Sequence, residues 1–398
     1  MGKLCKKDNK NTGRKVKVMR NNKPKRGNRT LKILDKYIGI PVVFLLGFLV
    51  KKKNLIPKKI KKIGILKTAA IGDTILLSAI VKDIKDRLPE SEVVLFVGSS
   101  NFEIAKLISK KYKNVKVKKI SIKNIKKTVK TVREEDFDIW MDFGSWPRFN
   151  ALISFFAKSK LKVGFKTRGQ FRHYIYDKTV IHRDDLHEIY NYKNILKAVG
   201  LNGDNLPDLG RNKSISQKNC IVIHMFPGGY KSYLREWPEE YWIKLINNLT
   251  KKGYEVLLSG AKSDEKKAFD LYRKIKNKEK VKIIAGKADL EKLIDILQSC
   301  FCVISVNTGI MHLASALKCN LIALHGPTSY KRWGPLNENS ISLASTLSCS
   351  PCLNLGFEYG CDENKCMKDI TVEKVMQAVE FFEKEKSLIP NKHLYSHL

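Results

Sequence analysis

The segment KTAAIGDTILL, residues 67–77, places an acidic side chain at the junction between an apolar strand and a helix. Asp73 follows Gly72 there, directly ahead of an apolar helical stripe. One interpretation is structural, with Asp73 as the N-cap of that helix. The other is chemical: a carboxylate at a helix start can accept a proton from a nucleophilic hydroxyl. The residue pattern alone leaves both interpretations open.

A second segment, FPGGYKSYLREWPEEYW (residues 226–242), combines glycines with cations. Gly228 and Gly229 permit a close backbone approach, while Lys231 and Arg235 supply positive charge for a phosphate. The segment is not a P-loop, and GxGxxG is absent from the chain. The sequence therefore does not indicate a nicotinamide-dependent enzyme.

A third segment, VNTGIMHLA (residues 306–314), also begins a helix. Backbone N–H groups at Thr308 and Gly309 are suited to an anion, and His312 lies within reach of the same ligand. A hydrogen-bonded interior histidine is the alternative for His312. The segment HGPTSYKRWGP, residues 325–335, adds a Gly-Pro loop with Lys331 and Arg332.

The elements that must position these loops alternate between strand and helix. Apolar runs at residues 63–67, 92–98 and 137–143 predict strands, separated by helical stripes. The alternation pauses over residues 200–219, rich in Gly, Asn, Asp and Pro. It then resumes, with further strands predicted at residues 220–226, 254–260, 281–286, 302–306 and 320–326. We expect two doubly wound α/β halves whose ligand loops face each other across a cleft.

The amino terminus carries a large excess of positive charge. The chain has 398 residues and a formal net charge of +37, and residues 1–62 contain 21 Lys and Arg but only Asp8 and Asp35 as acids. Such a block favours a polyanionic partner. Nucleic acid is the less favoured partner because the tail lacks interleaved aromatic side chains for base stacking. Anionic lipid is favoured instead.

The run YIGIPVVFLLGFLV, residues 37–50, is flanked by Lys36 and by three lysines at 51–53. It is shorter than the ~20 residues of a spanning helix. Interfacial or re-entrant membrane insertion is favoured over a core helix and over a genuine span. No cleavable signal peptide is indicated.

Nine cysteines are present, four of them clustered as C-x2-C-x8-C-x4-C at Cys349, Cys352, Cys361 and Cys366. Structural zinc, free thiols and disulfides or another cluster all remain open for these four. Cys300, Cys302 and Cys319 lie in apolar surroundings and are expected to behave as small buried hydrophobes. No catalytic metal is indicated.

Taken together, the motifs KTAAIGDTILLSA, REWPEEYW, VLLSGAKSDE, IAGKADLEKLIDIL, NTGIMHLASAL and HGPTSYKRWGP resemble the heptosyltransferase family, glycosyltransferase family 9 of lipopolysaccharide biosynthesis. The resemblance runs from about residue 35 to 382. It implies a GT-B fold, with two Rossmann-like domains facing a cleft. It also implies inverting, metal-independent transfer of a sugar, often heptose from ADP-heptose, to a glycolipid hydroxyl. The segment around residues 34–49 is similar to the membrane-associating stretch of some members.

The resemblance implies roles for individual residues. Asp73 corresponds to the general base and Arg235 to a donor-diphosphate contact. Thr308, Gly309 and His312 correspond to donor phosphate and sugar contacts. Other implied donor contacts are Gly228, Gly229, Lys231, Glu265 and Asn307. Asn307 departs from the family, which usually has Asp there, and Ala69-Ala70 replaces residues that are often Ser.

These observations predict five regions. They are a disordered basic tail (1–30), a membrane-associating segment (31–60), an acceptor domain (61–205), a donor nucleotide-sugar domain (215–370) and a C-terminal helix and tail (371–398). The expected partners are a nucleotide-diphosphate sugar resembling ADP-heptose, a lipopolysaccharide-core or lipid-linked acceptor and an anionic membrane. The expected location is the cytoplasmic face of the plasma membrane, and no cofactor is required. Alternatives are a catalytically silent protein that binds anionic lipid or nucleic acid, and an epimerase on the same frame.

Overall fold

The computed structural model describes residues 29–210, 215–229, 231–353, 361 and 363–387. Most of the predicted basic tail therefore lies outside the described residues, as does the end of the C-terminal tail. The described chain forms two parallel sheets, each covered by helices on both faces.

The first sheet has the strand order β3-β2-β1-β4-β5-β6. Its strands are β1 (Lys62–Lys67), β2 (Glu92–Val97), β3 (Val115–Lys119), β4 (Asp136–Asp142), β5 (Lys158–Lys166) and β6 (Lys178–Ile181). Its helices are α3 (Ile71–Arg87), α4 (Phe102–Ser109), α5 (Ile125–Arg133), α6 (Arg148–Phe156) and α7 (Glu188–Ala198), with a 3₁₀ helix at Arg172–Ile175. The central strands are continuous apolar runs because both of their faces are buried.

The second sheet has the order β12-β11-β10-β7-β8-β9, which repeats the topology of the first. Its strands are β7 (Lys218–His224), β8 (Glu255–Ser259), β9 (Val281–Ile283), β10 (Cys300–Val306), β11 (Leu321–His325) and β12 (Ser340–Ala344). Its helices are α8 (Glu239–Lys251), α9 (Glu265–Tyr272), α10 (Leu290–Ser299), α11 (Gly309–Ala316), α12 (Tyr330–Trp333), α13 (Lys365–Lys368) and α14 (Val372–Ser387). Further 3₁₀ helices lie at Ser232–Arg235, Lys262–Asp264 and Lys278–Lys280.

The strand order places the loops of interest at the crevice of each sheet. The order reverses between β1 and β4 in the first sheet and between β7 and β10 in the second. Ligands of doubly wound sheets bind at this reversal, beyond the carboxyl ends of the strands. The predicted two-domain α/β fold is confirmed, and the three glycine-bearing loops follow β1, β7 and β10.

The two halves share buried apolar surface. One core cluster includes Ile75 and Leu76 of α3 together with Met311 and Leu313 of α11. These two helices pack against each other and begin at the loops that face the cleft. Their packing therefore fixes the position of one loop relative to the other.

Two helices precede the first sheet, α1 (Arg29–Tyr37) and α2 (Gly39–Phe48). Val43 of α2 is buried against α6 and the 3₁₀ helix at Arg172–Ile175, and Asp35 of α1 pairs with Arg148 at 2.9 Å. Within the part of the chain that the structure describes, no helix has the length and apolar character needed to cross a membrane. The α2 helix is also not a core helix, because Leu45 and Phe48 are 64% and 74% exposed.

Four strands, β3, β5, β6 and β12, were not predicted from the sequence, and β9 ends at Ile283 rather than near residue 286. The β3 strand has the sequence VKVKK, and it is an edge strand with one side open to solvent. Edge strands do not need the continuous apolar run by which buried strands are identified.

Candidate functional site

A cleft of ≈ 1370 Å³ lies between the two sheets. Both domains contribute to its walls, which contain most of the residues that the sequence selected. Those residues are Asp73 from the first domain and Gly228, Gly229, Arg235, Asn307, Thr308, Gly309 and His312 from the second. The tertiary fold thus brings together residues separated by more than 230 positions in the chain.

Asp73 lies in the first turn of α3, where its side chain is 19% exposed. Its Oδ2 atom is 2.7 Å from Nζ of Lys67. Burial raises the pKa of the Asp73 carboxyl above its ordinary value; the positive charge of Lys67 lowers it, and the negative charge of Glu188 raises it. The net direction is upward, which makes the ionised carboxylate a stronger base than a solvated aspartate.

Lys67 was not predicted as a site residue. Its ammonium group is buried at the end of β1, donates to the carbonyl oxygen of Phe143 at 3.1 Å and lies 5.4 Å from the ring centroid of Tyr192. These contacts fix the cation beside Asp73. The signal in the sequence was a lysine as the last residue of an otherwise apolar strand.

The helix starts of the two domains approach each other closely. A Cβ atom on Gly72 would lie 2.5 Å from Cδ2 of His312, and one on Gly309 would lie 2.9 Å from Cβ of Ile71. A larger residue at either position would require the opposing side chain, His312 or Ile71, to shift. Both glycines therefore permit Asp73 and the amino terminus of α11 to face the same cleft.

Arg235 lies on the wall of the cleft that the second domain forms. Its guanidinium group donates to the carbonyl oxygens of Gly228 and Asn307, the latter at 3.3 Å. The Asn307 amide also lies 3.3 Å from Nδ1 of His325 and donates to the Trp333 carbonyl oxygen at 3.5 Å. Arg235 therefore joins two loops that end neighbouring strands, β7 and β10.

His312 in α11 and His325 at the end of β11 are both neutral. Burial lowers the pKa of His312 to about 3 and that of His325 to about 3. His312 can offer a neutral imidazole to a ligand but carries no charge at neutral pH.

Two of the predicted donor residues do not line the cleft. Lys231 lies at the start of the 3₁₀ helix in the second glycine loop, and Glu265 begins α9 and pairs with Lys262. Asp264, one residue before Glu265, lines the cleft instead. Its carboxylate accepts from the Ala261 amide at 2.9 Å, which shapes this wall.

Arg332 does not line the cleft either. It connects the two domains, because its partners belong to the first domain. Its guanidinium group donates to the Glu188 carboxylate at 3.1 Å and to the Arg183 carbonyl oxygen at 2.9 Å. It also lies 3.3 Å from Nε2 of His182. The Arg332 and Glu188 side chains are both buried, and Arg332 lowers the pKa of Glu188, together with His182.

The wall formed by the first domain contains side chains that the sequence did not indicate. Trp146 and Phe149 flank the start of α6, and Lys123 and Ile122 lie in the loop after β3. A mixed apolar and cationic wall faces Asp73 from this side. Asp35 of the amino-terminal helix α1 lines the same wall, which brings that helix to the cleft entrance.

The clustered cysteines do not fit a metal ion. No group of three or more His, Cys, Asp or Glu in the described ranges is arranged to hold one, and all four clustered cysteines are described. Burial and the neighbouring cysteines raise the pKa of Cys366 to about 12. The zinc hypothesis is therefore not supported. Cys300, expected as a buried thiol, is bonded to Cys220, while Cys302 and Cys319 are buried and form no disulfide.

Comparisons with known proteins agree with this architecture. A structure described as E. coli heptosyltransferase WaaC with ADP has a TM-score of 0.64 and 18% identity, covering 81% of this chain and 99% of its own. A glycosyl transferase family 9 structure from Veillonella parvula has a TM-score of 0.66 and 17% identity, covering 84% and 100%. At this identity the likeness concerns the fold, which is GT-B.

The sequence comparisons identify the family. The family model described as glycosyltransferase family 9 (heptosyltransferase) matches residues 125–362, more than half of the chain. Lipooligosaccharide heptosyltransferase 2 of Campylobacter jejuni is 25% identical over 329 residues, which are 81% of this chain and 97% of the relative. Lipooligosaccharide heptosyltransferase 2 of Haemophilus influenzae is 31% identical over 121 residues, 30% of this chain and 35% of the relative. The chain therefore belongs to the heptosyltransferases of glycosyltransferase family 9.

Proposed function

We propose that this glycosyltransferase moves a heptose from ADP-heptose to a hydroxyl of a lipopolysaccharide or lipooligosaccharide core, with inversion and without a metal. The observation that carries this proposal is the arrangement of Asp73 opposite Arg235 and the start of α11 within one cleft. A base on one wall and a diphosphate site on the other are the two parts that displacement at an anomeric carbon requires.

In the proposed reaction, Asp73 takes the proton of the acceptor hydroxyl as its oxygen attacks the anomeric carbon of the donor. The bond between that carbon and the diphosphate oxygen breaks, so the departing nucleoside diphosphate gains negative charge. Arg235 and the N–H groups at Thr308 and Gly309 stabilise this charge. The raised pKa of Asp73 suits proton transfer, since the carboxylate must be basic in the transition state.

In this proposal, each wall of the cleft binds one of the two substrates. The second domain takes the nucleotide-sugar, because Arg235, Gly228 and Gly229 line its side of the cleft. The first domain takes the glycolipid, with Trp146 and Phe149 against apolar or sugar surfaces and Lys123 near acidic groups. The proposed domain boundaries stay at residues 61–205 and 215–370.

Asn307 keeps its place in the donor wall despite lacking a carboxylate. Its amide donates to the Trp333 carbonyl oxygen, which a carboxylate could not do. We propose that it positions the loop that carries Trp333.

We also propose that α1 and α2 attach the protein to the cytoplasmic face of the plasma membrane. The α2 helix presents Leu45 and Phe48 to solvent, and Leu49 directly after it is exposed as well; these side chains are 64%, 74% and 69% exposed. Lysines 51–53 follow directly. An exposed apolar helix with adjoining cations is suited to an anionic bilayer surface.

The experiment that tests the reaction uses ADP-heptose and a heptose-deficient core acceptor, with product detected by mass spectrometry. Asp73→Asn should abolish transfer while calorimetry shows unchanged ADP binding, because the amide cannot accept the proton. Asp86→Asn, on an exposed position of the same helix, is the matched control and should keep activity.

Full turnover by Asp73→Asn would show that Asp73 is not the general base. No product from wild-type protein with any nucleotide-sugar would favour a silent binding protein. Release of free sugar without acceptor would favour an epimerase.

A further inference from the structure

We infer that a second cavity, on the opposite edge of the first domain from the cleft, binds the phosphate headgroup of an anionic membrane phospholipid. The inference rests on the proposed membrane attachment and adds a specific site to it. The cavity adjoins the starting residues of β4 and β5, Asp136 and Lys158, whereas Asp73 follows the carboxyl end of β1. An acceptor held in this cavity would therefore not reach the catalytic carboxylate.

The cavity has a volume of ≈ 820 Å³, ample for a phosphate headgroup. Its lining carries five lysines and three aspartates. The lysines are Lys51 and Lys53 after α2, and Lys158, Lys160 and Lys162 of β5.

The three lysines of β5 alternate along the strand, so they lie on one face of the sheet. That face is also covered by α6, since Nζ of Lys162 donates to the Phe155 carbonyl oxygen at 2.8 Å. Burial lowers the pKa of Lys162 to about 8, so an added negative charge nearby would stabilise its protonated form.

Two of the aspartates accept hydrogen bonds from backbone amides. Asp138 accepts from the amides of Lys61 and Lys62, and Asp177 accepts from the amides of Lys53 and Lys162. Their main role is to connect strands and the segment after α2. Asp138 also pairs with Lys160 at 2.7 Å, which holds that lysine at the cavity rim.

Lys53 is held at the cavity wall by contacts with β5 and with Asp177. Its ammonium group donates to the carbonyl oxygen of Ser159 at 3.0 Å, and its backbone amide donates to the Asp177 carboxylate at 3.1 Å. The segment that follows α2 therefore adds a cation to the cavity that the lysines of β5 line.

The apolar part of the lining decides between a lipid and a free phosphate. Leu49 and Val50 line the cavity and directly follow α2, whose Leu45 and Phe48 are exposed. A headgroup in the cavity would therefore have its acyl chains beside this apolar helix. A free phosphate would use the cations but not the apolar surface.

The test measures binding of dihexanoylphosphatidylglycerol, below its micelle concentration, to the full chain by calorimetry. The site variant is Lys51→Gln, Lys158→Gln and Lys160→Gln, all at exposed positions. The matched control removes the same charge from the second domain by Lys276→Gln, Lys278→Gln and Lys280→Gln. Dihexanoylphosphatidylcholine and inorganic phosphate are the comparison ligands, and circular dichroism checks folding.

We expect saturable phosphatidylglycerol binding by the wild type and the control, and a loss of about 150-fold in the site variant, which removes three lysines at about 1 kcal/mol each. Lys51→Gln alone should weaken binding about fivefold, and it keeps the inference testable if the triple variant does not fold. Equal loss in the control, equal affinity for phosphatidylcholine or equal affinity for inorganic phosphate would overturn the inference.

A vesicle experiment separates this inference from the membrane proposal. Phe48→Ser should reduce cosedimentation with vesicles of phosphatidylglycerol and phosphatidylcholine, through loss of apolar contact. If wild-type protein binds these vesicles through α2 but does not bind the short-chain lipid, the headgroup site is wrong and the attachment proposal stands.

Discussion

Replacing Lys67 by Met tests whether the buried cation controls the protonation of Asp73, the proposed general base. Methionine keeps the length of the side chain but removes the charge that lies 2.7 Å from Oδ2 of Asp73. An adjacent opposite charge lowers an aspartate pKa by about 1–3 units. At 1.36 kcal/mol per unit, the variant should lose about 1.4–4 kcal/mol of preference for the ionised form. The pKa of Asp73 is already raised by burial, so it should rise further.

The sign of the effect on activity follows from the role of the base. Only the ionised carboxylate can accept the acceptor proton, so the acidic limb of the profile of kcat/KM against pH should move to higher pH by about 1–3 units. Activity should fall about tenfold per unit below the new pKa. It should recover at high pH, which general structural damage would not allow.

The assay measures heptose transfer over pH 5 to about 10 for wild type, Lys67→Met and Lys67→Arg. Lys67→Arg keeps the charge and is the matched control; its acidic limb should stay near that of the wild type. An unchanged acidic limb in an active Lys67→Met protein would refute the proposed coupling. Equal loss of activity at all pH values would show that Lys67 acts only through packing.

Two further predictions concern the cations of the second domain. Arg235→Ala should weaken ADP binding about 10- to 100-fold, equivalent to the ~1.5–3 kcal/mol of hydrogen bonds to a charged group; unchanged affinity by calorimetry would contradict its diphosphate role. Arg332→Met should lower the free energy of unfolding by about 1.5–3 kcal/mol, since Glu188 loses its hydrogen bond to the guanidinium group but keeps its contact with His182. Because the pKa of Glu188 is lowered in the folded protein, its contribution to stability is present at neutral pH and is lost as pH falls through that value. Lys331→Met, at the exposed neighbouring position, is the control. Equal melting temperatures for the two variants would show that the contact between Arg332 and Glu188 does not stabilise the protein.

Much of the fold follows from periodicity. The apolar runs that became β1, β2 and β4 are buried on both faces, and such strands are recognisable without structural information. The strand β5 was not recognised because its sequence, KSKLKVGFK, has lysines at alternate positions. Those lysines face a cavity that exists only when α2 and α6 cover the sheet. The same alternation that concealed the strand is what places the lysines on one face.

The candidate site also contains residues that the sequence identified and residues that only the structure shows. Glycine-bearing loops that follow predicted strands pointed to Asp73, Arg235 and the start of α11, because loop position follows from local pattern. The sequence placed Glu265 at the donor site, whereas the cleft is lined by Asp264, and a shift of one residue at a helix start is beyond what local pattern resolves.

The sequence by itself determined two doubly wound domains, the loops that carry chemistry and a basic, apolar amino-terminal segment. Local propensity and apolar periodicity are properties of neighbouring residues, so these features need no knowledge of distant contacts. Only the tertiary structure decided that Lys67 accompanies Asp73, that Arg332 connects the domains and that lysines of β5 meet the end of α2. Such contacts join residues far apart in the chain, and burial at those contacts sets the pKa of Asp73 and of Lys162.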